Sequence, residues 1–83
     1  MNYTSRILLA LYELKGGTTD EVALYLTDGP QYKSRIGANL DGTYRKAGNS
    51  LAQMRSKGLV TGSEGEWNLT NEGINYVTQT LLE

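Results

Sequence analysis

The chain has no cysteine and no histidine. Disulfides, thiolate metal sites, thiol nucleophiles and imidazole acid–base chemistry are excluded together. It also lacks a long apolar run: the longest, Ile7 to Leu11, is far too short to span a bilayer. No basic segment followed by an apolar stretch and a cleavage site opens it, so no secretory leader is expected, and a cysteine-free chain fits the cytoplasm. Carboxylates are close together only at Asp20–Glu21 and at Glu64/Glu66. Capping accounts for the first pair and a turn for the second. Glycines do not fall at phosphate-loop spacing, and the turn offers too few oxygens for a hard metal ion. No enzyme, cofactor or metal is therefore expected, nor is an effector site legible.

The chain of 83 residues makes one domain, residues 1–83, with a core that must be efficient or shared with a second copy. Its net charge of −1 hides an asymmetry. Between Gln31 and Lys57 stand six basic residues, Lys33, Arg35, Arg45, Lys46, Arg55 and Lys57, against Asp41 alone, a local charge of +5. The remainder has two basic residues against eight acids, or −6. The local sign decides whether a face attracts phosphate, so a basic face in the centre of the chain is expected.

Apolar spacing predicts the elements. Ile7, Leu8, Leu11 and Leu14 recur at helical period, in a helix capped by Thr4 or Ser5 and running to about Lys15, where Gly16-Gly17 stops it. Thr18-Thr19-Asp20-Glu21 has the form of a capping box, with Thr18 at the cap and Glu21 reaching back. The second helix turns Val22, Ala23 and Leu26 inward and ends at Asp28-Gly29-Pro30. Tyr32, Ile36 and Leu40 allow a short helix between Gln31 and Leu40. The next helix spans about Thr43 to Lys57, with Ala47, Leu51 and Met54 on one face. Leu59–Thr61 and Glu66–Leu69 are short strands around a turn with Gly62 and Gly65. Thr70 opens the last helix, which faces Ile74, Val77 and Leu81 inward. The fold class is thus α+β, mostly α. The expected core is Leu8, Leu11, Val22, Leu26, Leu51, Met54, Leu59 and Leu69.

Two stretches carry a resemblance. Ile7-Leu8-Leu9-Ala10-Leu11-Tyr12-Glu13-Leu14, a glycine turn and Glu21-Val22-Ala23-Leu24-Tyr25-Leu26 resemble the first two helices of winged helix-turn-helix regulators of the MarR and PadR kinds. Leu51-Ala52-Gln53-Met54-Arg55-Ser56-Lys57-Gly58-Leu59-Val60 with Trp67-Asn68-Leu69-Thr70-Asn71-Glu72-Gly73 resembles their recognition helix, wing and wing exit. The stretch between Leu26 and Thr43 is long for that pattern. Together with Tyr44-Arg45-Lys46-Ala47-Gly48 and Gly65-Glu66-Trp67-Asn68-Leu69-Thr70 it is also similar to the N-terminal winged helix of Mrr-type restriction proteins. The resemblance implies a winged helix-turn-helix with a two-stranded C-terminal wing and a closing helix. It further implies binding of double-stranded DNA, as a small transcriptional regulator, by the helix at about 43–57. Apolar surface on the first and last helices adds the expectation of a homodimer.

The candidate DNA-binding residues are Lys33, Arg35, Tyr44, Arg45, Lys46, Asn49, Ser50 and Gln53. Arginine and lysine neutralise phosphate or reach guanine; asparagine and glutamine pair with the major-groove edge of adenine. Gly48 in mid-helix costs about 1 kcal/mol against alanine, which close approach of another helix, or of DNA, would explain. Trp67, next to Leu69, is expected in the core rather than stacked on a base. Tyr12, Tyr25 and Tyr76 fall in apolar helical patterns and are expected to be structural. The sequence departs from the family in Gly62-Ser63-Glu64-Gly65-Glu66, a turn acidic where family wings often carry Arg or Lys. Carboxylates there repel phosphate, so a protein-interaction module, binding polymerase or another regulator, stands as the alternative.

Overall fold

The computed structural model describes residues 2–28, 41–63 and 65–82. The expected short helix between Gln31 and Leu40, with Tyr32, lies outside them. Among the described residues the chain forms α1 (Tyr3–Leu14), α2 (Thr19–Asp28), α3 (Asp41–Ser56), β1 (Val60–Ser63), β2 (Glu66–Leu69), α4 (Asn71–Tyr76) and a π-helical turn, Val77–Leu81. This is a mostly helical α+β fold with a two-stranded antiparallel sheet. No described helix is long and apolar enough to cross a membrane.

Local chemistry sets most boundaries. The cap of α1 is Asn2, whose side chain accepts from the Ser5 amide at 2.8 Å, and not Thr4 or Ser5. Any of the three can cap; Asn2 leaves Ser5 inside the first turn, where it is buried. α1 ends on Lys15, which takes the left-handed conformation expected of a glycine (φ 60°), its amide bonded to the Leu11 carbonyl. The capping box of α2 forms as expected: the Thr18 amide donates to Glu21 Oε1 and the Glu21 amide to Thr18 Oγ1, both at 3.0 Å. Thr70 caps α4, accepting from the Gly73 amide at 3.1 Å while its hydroxyl donates to the Gly58 carbonyl at 2.6 Å. The α3 boundaries differ from expectation by the one or two residues over which helix ends are ordinarily ragged.

The strands pair Val60 with Leu69, Thr61 with Asn68, Gly62 with Trp67 and Ser63 with Glu66. The first strand therefore starts and ends later than expected. Gly62 (φ 114°) is required, because a Cβ there would run into the Glu66 carbonyl. Gly73 is required for a different reason: a Cβ would strike the Leu59 carbonyl, so α4 lies directly on the chain entering β1. Gly17 extends the sheet, its backbone exchanging hydrogen bonds with Trp67 at 2.9 and 2.7 Å. Gly17, expected only to help stop α1, thus also bridges the outer edge of β2.

The core joins Ile7, Leu8, Ala10 and Leu11 of α1, Val22 and Ala23 of α2, and Ala47, Leu51 and Met54 of α3. Val60, Trp67 and Val77 complete it. Leu26, Leu59 and Leu69, expected inside, are only partly buried against this cluster. The expected inward stripe of the last helix is broken. Val77 is buried, Leu81 is partly buried and Ile74 is 40% exposed. The buried positions here are Gly73 and Val77, four residues apart on one helical face, and this turns Ile74 away from the core. Tyr76, next to Val77 and so about 100° around the helix from it, is exposed, whereas Tyr12 and Tyr25 pack against the core.

Candidate nucleic-acid interface

α3 is amphipathic. Ala47, Leu51 and Met54 turn inward, while Arg45, Lys46, Asn49 and Gln53 are exposed on the other side. Arg45, Asn49 and Gln53 follow one another at four-residue steps and form one strip. Ser50 is half-buried on its edge. Five of the candidate residues, Arg45, Lys46, Asn49, Ser50 and Gln53, are thus gathered on one helix. Tyr44 lies in the first turn of the same helix, its side chain outside the described set. Lys33 and Arg35 lie outside the described residues.

Two of the basic side chains already have neighbours. The Lys46 ammonium lies over the Tyr3 ring, 4.3 Å from its centroid, and so ties the exposed start of α3 to the start of α1. The Tyr3 hydroxyl itself is buried and finds no hydrogen-bond partner among the described residues. Burial raises its pKa above the ordinary 10.0, with Arg6 acting in the opposite direction. Arg55, near the other end of α3, donates to the Gly62 carbonyl at 2.8 Å and stands 5.3 Å from the Trp67 ring centroid. Its charge counts towards the basic segment, but its guanidinium is held against the hairpin.

Trp67 is the hub of that attachment. It is 2% exposed, in the core as expected, and its indole N–H donates to Thr19 Oγ1 at 2.8 Å, inside the protein. One side chain therefore links the hairpin, the start of α2 and the end of α3. The hairpin is fixed asymmetrically: β1 is on the α3 side through Arg55, while β2 is on the α1 side through Gly17. Glu66 is exposed, and its carboxylate reaches back toward Gly16, where Oε2 would lie 3.0 Å from a Cβ.

Sequence reasoning missed the Thr19–Trp67, Arg55–Gly62 and Lys46–Tyr3 contacts. Only the first had a signal, since a buried indole N–H needs an acceptor and threonine supplies one. No family model, curated protein or solved structure matches the chain.

Proposed function

We propose that the chain is a winged helix-turn-helix protein that binds duplex DNA as a small transcriptional regulator, with α3 as its recognition helix. The observation that carries this reading is the outward strip of α3, where Arg45, Lys46, Asn49 and Gln53 are exposed opposite a fully apolar inner face. From Arg45 to Gln53 is eight residues, about 12 Å of helix, comparable with the roughly 12 Å width of the B-form major groove. Arg45 supplies phosphate or guanine contact; Asn49 and Gln53 supply the paired donor and acceptor that adenine requires. The hairpin follows α3 directly and is held to it by Arg55, as a wing beside a groove-reading helix must be.

The alternative, a protein partner, is favoured by one observation. Glu66 is exposed on the hairpin and no basic residue occurs between Val60 and Leu69. Paired substitutions on α3 distinguish the readings. Arg45→Ala should weaken binding to all duplexes alike and reduce the salt slope by about 1, as loss of one phosphate contact does. Asn49→Ala should instead reduce discrimination at one base pair by about 1–3 kcal/mol. Arg45 is a cleaner probe than Lys46, whose removal also takes a cation from the Tyr3 ring. If both variants kept wild-type duplex affinity and selectivity, the α3 strip would not be a DNA-reading surface, and the acidic hairpin would direct attention to a protein.

A further inference from the structure

Where α1 ends, a depression of about 450 Å³ lies between that helix, β2 and α4. Its volume falls within the roughly 300–1,000 Å³ of small-molecule sites. Leu11, Leu69 and Ile74 give it an apolar wall, and Tyr12 borders it. Ile74 is 40% exposed, so part of that wall is apolar surface left in contact with water. The polar border holds one charge of each sign, Glu13 and Lys15, and one amide, Asn68. In a continuous α-helix, residues two apart point to nearly opposite sides. Here the helix ends at Lys15 in the left-handed conformation, and both charges border one depression. Gly16 (φ 103°) lets Asn68 close against this turn, since a Cβ there would run into Asn68 Oδ1. Among the described residues the side chains of Glu13, Lys15 and Asn68 make no hydrogen bond or ion pair, whether with one another or with other groups.

These groups define the chemistry of an occupant. The Glu13 carboxylate accepts from an ammonium, while Lys15 and the Asn68 amide donate to a carboxylate. Leu11, Leu69 and Ile74 are covered best by an apolar group. A free α-amino acid carries both charges on one carbon and its side chain on the same carbon, so a single molecule answers all three demands. A simple acid or a simple amine leaves one of the two charges unmatched, and an uncharged apolar molecule takes water from both and returns nothing. We propose that this depression binds a free α-amino acid with a large apolar side chain, its ammonium on Glu13, its carboxylate on Lys15 and Asn68, and its side chain against Leu69 and Ile74. This goes beyond the DNA reading and does not depend on it, because none of these residues lies on α3.

Titration of isotope-labelled protein with L-phenylalanine, followed by amide chemical shifts, tests the site. A ligand this small in an open depression calls for concentrations into the millimolar range, at mildly acidic pH where free amino groups are protonated. Saturable shifts should centre on Gly16, Asn68, Leu69 and Ile74. Glycine lacks the apolar side chain, N-acetyl-L-phenylalanine the ammonium and L-phenylalaninamide the carboxylate; each should bind at least about tenfold more weakly. The last two also stand for the ends of a peptide, so binding of either as tight as that of L-phenylalanine would overturn the inference in favour of a peptide terminus. Glu13→Gln should no longer distinguish L-phenylalanine from its N-acetyl form, and Lys15→Gln should no longer distinguish it from the amide. Both positions are exposed, as is Ile74, where Ile74→Ser should weaken binding of L-phenylalanine but not of glycine. Circular dichroism melting checks that each variant is folded. Absence of saturable shifts, shifts centred on other residues, or wild-type affinity and selectivity in both charge variants would each overturn the inference.

Discussion

Gly48 lies inside α3 at a position where its described neighbours do not require a glycine. A glycine inside a helix costs about 0.5–1 kcal/mol relative to alanine. Such a cost is repaid where another backbone comes close, yet a Cβ at Gly48 would meet, among the described residues, only the Thr19 methyl at 3.8 Å, an ordinary van der Waals distance. Close approach of a described element therefore does not explain the glycine, and the proposed DNA reading predicts that a duplex comes close there. Gly48→Ala should stabilise the folded protein by about 0.5–1 kcal/mol, raising Tm by about 2–8 °C in a domain of this size. Duplex affinity should fall at the same time, since the methyl group stands off a surface that the glycine lets come close. Thermal denaturation followed by circular dichroism, together with a duplex titration of the same preparation, measures both. A variant that melts at or below the wild-type temperature would refute the packing argument. One that is more stable and binds duplex unchanged would show that the glycine is not there for DNA.

The hub at Trp67 predicts that Thr19→Val costs about 1–3 kcal/mol, the usual consequence of leaving a buried donor unpaired, while Thr19→Ser stays near wild type; equal denaturant midpoints for the two variants would contradict it. The unpartnered Tyr3 hydroxyl predicts that Tyr3→Phe keeps the ring beneath Lys46 and melts no lower than wild type at neutral pH. Burial favours the neutral phenol, so its stabilising contribution is full below pH 10.0 and is lost as pH rises through the higher folded value. Part of the alkaline loss of stability should therefore vanish in Tyr3→Phe, and an identical pH–stability curve in both proteins would argue against the assignment.

Local patterns were legible in the sequence wherever two or three neighbouring residues satisfy one another. The Thr18–Glu21 capping box and the Thr70 cap depend on contacts three residues apart, and both formed as expected. The inner face of α3 was equally legible, since Ala47, Leu51 and Met54 follow the helical period on their own. Contacts between distant segments were not. Lys46 meets Tyr3 across 43 positions of sequence, and Thr19 meets Trp67 across 48; no periodicity encodes either. The start of α1 shows a different limit, since Asn2, Thr4 and Ser5 are all competent caps and only the packing of Ser5 decides among them. Ile74 is off the inward face because Gly73, seated on the Leu59 carbonyl, and Val77 centre that face, a contact between segments that apolar spacing does not reveal. Within the candidate interface, the residues carrying the reading were legible as exposed positions of an amphipathic helix, while the clamp formed by Arg55 was visible only as one more positive charge.

The central claim is that α3 presents its basic and amide side chains to duplex DNA, and the salt dependence of duplex binding tests it most directly. Affinity for a random-sequence duplex should be measured by fluorescence anisotropy at several salt concentrations between about 50 and 200 mM, the range in which counterion release is read. The account predicts measurable binding at the low end and a linear fall of log affinity with log salt, with a slope equivalent to several phosphate contacts. It predicts a shallower slope when Lys33, Arg35, Arg45 and Lys46 are all replaced by neutral residues. No binding at the lowest salt, or a slope unchanged in the neutralised protein, would contradict it.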